Sequence, residues 1–105
     1  MMTTTEDRNI YGDVNSLSDL RGINRQIRNE IRRARDRNRV TELKKRSDYL
    51  CALTQAPSWR QKFGRKAPRF LDVAKEEDER TTRVANEIAR RRGFDTEYHA
   101  WGGGD

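Results

Sequence analysis

A shortage of large apolar side chains limits what this chain can fold into more than any other feature. Leu, Ile, Val and Phe supply 18 of its 105 residues, below the share of about one in five at which folding alone becomes doubtful. Charge argues the other way. The 23 basic residues are largely offset by 17 acidic ones, leaving a net charge of +6, so the chain is not a self-repelling coil. Such a composition suffices for amphipathic helices but barely for a private core. A second copy or a larger assembly is therefore expected to complete the fold. The alternative is a thin two- or three-helix monomer.

The apolar residues fall at helical spacing. Ser16 and Asp19 form a capping-box pattern, with the acid also placed to suit the dipole of the first turn. Leu20, Ile23, Ile27, Ile31 and Ala34 follow three or four apart and mark one helical face. Val40, Leu43, Ser47 and Leu50 continue the period on the opposite face. The chain can therefore reverse near Arg37-Asn38-Arg39, or one long helix from Ser16 to Gln55 can serve two neighbours. Neither Gly nor Pro interrupts residues 35–40, which tips the expectation slightly towards the long helix. Pro57 and Gly64 bound a short turn containing the Ser58–Gln61 capping pattern, and Pro68 opens a last helix that Gly93 stops. In that helix Phe70, Ala74, Glu77, Thr81, Val84, Ile88 and Arg91 share a face that is apolar at its ends and polar in the middle.

The expected fold is all-α: a long or hinged helix with a second helix packed back on it, as a helical hairpin or three-helix arrangement. Residues 1–15 read as a flexible leader, 16–93 as one helical domain, and 94–105 as a flexible tail with three glycines before Asp105. Cys51 is the only cysteine, so no internal disulfide forms. No apolar run approaches membrane-spanning length, and residues 1–13 lack the apolar stretch of a signal peptide. A reducing intracellular compartment (cytoplasm, nucleoid or nucleus) is the default, with no membrane role.

Charge lies in blocks. Between Arg21 and Arg46 stand 11 basic and 3 acidic residues, and between Pro57 and Arg69 five basic residues and no acid. Eighteen of the basic residues are arginine, whose guanidinium holds phosphate through paired hydrogen bonds. Arg21, Arg25, Arg28, Arg32, Arg35 and Arg39 recur every three or four residues, and such a ridge can track a phosphate backbone. The stretch from Trp59 to Phe70 interleaves aromatics with Arg60, Lys62, Arg65, Lys66 and Arg69. Trp59 and Phe63 there can stack on unpaired bases or simply pack the joint between helices.

Two functions are therefore weighed. One is nucleic-acid contact through phosphate, with little sequence readout. The other is a protein adaptor or accessory subunit docking through Leu20, Ile23, Ile27, Ile31, Val84 and Ile88. A third reading has Glu76–Glu79 mimicking a polyanion on a larger enzyme. No helix-turn-helix pattern with a clear recognition helix is present. Catalysis has no constellation to rest on: His99 is the only histidine and Cys51 lies far from it in sequence. Neither cofactor, metal nor small-molecule substrate is expected.

Overall fold

The computed structural model describes residues 14–102. Among them run α1 (Leu17–Arg33), α2 (Arg37–Thr54), a short α3 (Pro57–Phe63), a 3-10 turn (Gly64–Lys66) and α4 (Ala67–Arg92). The all-α expectation holds, in its three-helix form. For residues 1–13 the expected flexible leader lies outside the described residues, whereas Val14 is buried.

The start of α1 follows its capping signal with one difference. Ser16 Oγ accepts from the Asp19 amide at 3.1 Å, but Asp19 reaches back to the Asn15 amide, at 2.9 Å, and not to that of Ser16. The long helix from Ser16 to Gln55 does not form. Ala34 and Asp36 are both extended, with ψ of 139° and 132°, and the chain reverses three residues before Asn38. Two apolar stripes on opposite faces of one helix cannot both reach α4, and a hairpin turns both inward. Like charges at i, i+4 (Arg33–Arg37 and Arg35–Arg39) weaken a continuous helix at the same place. The Asp36 carbonyl then accepts from the Arg39 and Val40 amides at 3.1 and 3.2 Å to start α2. Helix α3 begins at Pro57 with Ala56 in the cap position, two residues before the Ser58 cap expected from its pattern.

Cross-contacts fix the directions. Asn24 meets Ser47 and Glu30 meets Arg39, so α1 and α2 are antiparallel. Arg28 meets Glu77 and Arg32 meets Arg92, so α1 and α4 run parallel. At about 1.5 Å per residue α4 is about 39 Å long and nearly spans the 43 Å long axis of the molecule. The core draws Leu20, Ile27 and Ile31 from α1, Val40, Leu43 and Leu50 from α2, and Phe70, Val73, Val84, Ala85 and Ile88 from α4.

Gly93 ends α4 in the left-handed region, at φ 73°, as its position after three arginines predicts. Residues 94–100 form no helix, but they are not the loose tail expected from sequence. The Asn86 side chain holds Tyr98 at both backbone groups, donating to its carbonyl at 3.0 Å and accepting from its amide at 2.8 Å. Tyr98 is buried, and its hydroxyl pairs with Thr41 at 2.8 Å. Phe94 and Trp101 pack on the core. The segment is a strap across α2 and α4.

Candidate functional site

The polar middle of the α4 face is the first notable cluster. Asp78 has no exposed surface. Its carboxylate accepts from Lys44 Nζ at 3.2 and 3.4 Å, from Ser47 Oγ at 2.5 Å, and from the Trp101 amide at 2.7 Å. Ser47 Oγ also lies 3.2 Å from Asn24 Oδ1, and Asn24 donates to the Leu20 carbonyl at 3.2 Å. Lys44 pairs in addition with Asp48 one turn on. Beside this group Arg28 donates to Glu77 Oε1 at 2.8 Å and lies 3.5 Å from Thr81 Oγ1. Helices α1, α2 and α4 and the strap each contribute a partner, so the cluster fixes their register.

Burial shapes the titration of two neighbours. Desolvation pushes the Asp48 carboxyl above its ordinary value of 3.8, against the opposing pull of Lys44. Desolvation, helped by the Asp78 and Asp48 charges, pushes the Cys51 thiol from 9.0 up to about 12. Cys51 has no exposed surface. In this conformation neither it nor Asp78 is open to a dissolved reactant.

The arginine ridge expected from sequence is broken. Arg28 is only 11 % exposed and belongs to the buried cluster. Arg39 bridges Glu30 at 2.9 Å and Glu42 at 3.0 Å, tying the α1–α2 turn. Arg21 is half-buried, while Arg25, Arg32 and Arg35 remain exposed.

Parallel packing of α1 and α4 gathers a different set. Arg32 and Arg33 end α1, Arg35 and Arg37 stand at the turn into α2, and Arg90, Arg91 and Arg92 end α4. All seven are exposed, and Arg92 Nη2 approaches the Arg32 carbonyl at 3.5 Å. Nearby acids are partly engaged, Glu30 and Glu42 with Arg39, and Glu87 with Arg91 at 3.2 Å. Arginines at the ends of α1 and α4 complement the negative ends of two helix dipoles. Arg37 has no such reason. It sits at the positive end of α2, whose first turn holds no acid and whose Asp36 cap makes no side-chain bond. Sequence reading passed over Arg33, Arg37 and Arg90–Arg92 because only the packing direction brings the two arginine-rich helix ends together.

The aromatic stretch resolves in favour of packing. Trp59 is buried, and its ring lies 5.0 Å from that of Phe63 and 5.7 Å from that of Phe70, with Phe63 stacked 4.2 Å from Phe70. These rings close the joint between α3 and α4, with Trp59 and Phe70 buried and Phe63 half-buried. Arg60, Lys62, Arg65, Lys66 and Arg69 are exposed around them. Lys62 donates to the Val14 carbonyl at 3.3 Å and lies 5.2 Å from the Phe63 ring.

The residues considered for partner docking are used within the chain. Leu20, Ile27, Ile31, Val84 and Ile88 are buried core, and Ile23 packs half-buried against them. Of the acidic run, Glu77 and Asp78 are buried in ion pairs, leaving only Glu76 and Glu79 exposed. No helix among the described residues is long and apolar enough to cross a membrane. Compared with protein-family models, with curated proteins and with solved structures, the chain matches none.

Proposed function

We propose that this chain is a non-enzymatic binding protein that contacts the phosphate backbone of nucleic acid, with little sequence readout, through the arginine cap at one end of the bundle. The observation that carries this reading is the gathering of seven exposed arginines from three helix ends. Helix-end stabilisation accounts for those on α1 and α4 but not for Arg37. Guanidinium groups spread over one surface suit successive phosphates, each contact releasing a counterion.

The adaptor reading loses its support because its apolar stripes form the core. The motive for expecting a second copy weakens for the same reason, since Tyr49 is the one large apolar side chain in the described residues with wide exposure. A reducing compartment fits the unpaired Cys51.

The test is binding of a short fluorescent DNA duplex measured by anisotropy between about 50 and about 200 mM salt. The native chain should lose affinity steeply as salt rises. Replacing Arg90, Arg91 and Arg92 by Glu should lower affinity at least about tenfold and flatten the logarithmic salt slope by about 2.7 if three phosphate contacts are lost. Arg65→Glu with Lys66→Glu, at the far end, should cost much less. Affinity insensitive to salt, or equal loss from both variants, defeats the proposal. Circular dichroism on each variant checks that the bundle is intact.

A further inference from the structure

A second surface lies at the opposite end of the bundle, apart from the arginine cap. Where α2, α3 and α4 meet, an open groove of about 330 Å³ is floored by Ala67, Pro68 and Leu71 and edged by Thr54 and Arg60. Arg65, Lys66 and Arg69 are exposed and interleaved in the chain with these groove residues. No acid occurs from Pro57 to Arg69. Among the described residues Arg60, Arg65, Lys66 and Arg69 pair with no acidic side chain, Asp72 one turn beyond Arg69 included.

The floor and the rim set different demands on an occupant. Four unpaired cations attract any anion. A phosphate backbone alone would neutralise the rim and leave the apolar floor facing water, and the nearest aromatic rings, Trp59, Phe63 and Phe70, are packed on one another. An apolar side chain alone would cover the floor and leave the cations unanswered. The volume stands at the low end of ligand sites, roughly 300–1,000 Å³, so the groove suits one or two side chains and not a folded element. A peptide segment with acids on both sides of one large apolar residue meets both demands, the anchor supplying affinity and the rim charges specificity. The described surface of a second copy offers no such segment. Its one large apolar side chain with wide exposure is Tyr49, and Lys45 and Arg46 precede it within about one turn of α2.

We infer that the groove docks an acidic segment of another protein. One large apolar side chain of that segment rests on Pro68 and Leu71, and carboxylates to either side of it meet Arg60, Arg65 and Arg69. The surface uses none of the core stripes and is separate from the arginine cap, so the inference stands whether or not the cap binds nucleic acid.

The probes are short end-blocked peptides of Glu flanking a central Leu, Ile, Phe or Trp, titrated into the full chain while its backbone amides are followed. At least one should shift the amides of Gln55, Gly64, Ala67 and Leu71 saturably, with Kd below about 1 mM. Ser in the central place should weaken this binding about tenfold, whereas any shift at the Ala34–Asp36 turn, where charge alone acts, should be the same for both peptides. Arg65→Glu/Arg69→Glu should weaken it about tenfold as well, and Leu71→Gln should erase the advantage of the apolar centre over Ser. Should Leu71→Gln lose helix by circular dichroism, the peptide comparison on the native chain still decides. Equal binding of the Ser and apolar peptides, or saturation by none of them, overturns the inference. A short DNA duplex that shifts the groove amides at lower concentration than every peptide overturns it by assigning the groove to nucleic acid. Groove shifts that grow with concentration of the chain alone overturn it by assigning the groove to a second copy.

Discussion

Asp78 is fully buried yet satisfied by an ammonium, a hydroxyl and a backbone amide. Removing one member of such a group leaves the others buried without a partner. Asp78→Ala should destabilise the fold by about 3–5 kcal/mol, seen as a melting temperature lower by more than about 10 °C. Asp48, one turn from Lys44, should behave differently. Its carboxyl is held above the ordinary value by burial, so its ionisation opposes folding at neutral pH, and that opposition fades as pH falls through the raised value. Asp48→Asn should therefore not lower the melting temperature at pH 7, and the contrast with Asp78→Ala is the useful readout. Cys51 has the same sign of shift at alkaline pH. Its thiol contributes fully below 9.0, and the contribution is lost as pH rises from there towards about 12. Cys51→Ala should flatten the fall of stability across that range, measured by denaturant unfolding at stepped pH. The native thiol should also resist alkylation until the chain unfolds. Sequence showed the polar middle of the α4 face at Glu77 and Thr81. It could not show that Arg28 pairs with Glu77 and Lys44 with the neighbouring Asp78, 49 and 34 residues apart, because periodicity speaks only of neighbours on one helix.

At the scale of elements, punctuation was more legible than direction. Ser16, Pro57, Pro68 and Gly93 mark helix ends in the structure because each acts through its own backbone or cap. The reversal at Ala34–Asp36 carries no such mark. It is imposed by the need of two opposite stripes to face the same α4. The strap is equally silent in sequence, since a segment held by side-chain bonds to its backbone has no period to read. Asn86→Ala removes both of its bonds to Tyr98 and should cost about 1–3 kcal/mol. Hydrogen exchange at the Tyr98 and Trp101 amides should accelerate while the centre of α1 stays protected. Gly93→Ala places a Cβ in the left-handed region, where nothing crowds it sterically. About 1 kcal/mol is the expected loss, without change of structure.

For the molecule as a whole, composition pointed to a shortfall of apolar residues that a partner would supply. The bundle instead completes its interior with Asn24, Lys44, Ser47, Glu77, Asp78, Thr81 and Thr82, all buried. A count of aliphatic residues misses such a core because it treats every polar residue as surface. The packing has a further consequence, for the order of assembly. Helix α1 packs more extensively on α4 than on α2, its neighbour in sequence. Its principal partner is thus a helix synthesised after α2 and α3, so the α1–α2 hairpin is a poor nucleus, and closing the long loop between α1 and α4 precedes most of the stabilising contact. During translation the first half of the chain waits for the second. A fragment ending at Ala56 should show little helix by circular dichroism and no cooperative melt. In the full chain, substitutions at Ile27 and Ile31 should slow folding, whereas Asn86→Ala should chiefly speed unfolding.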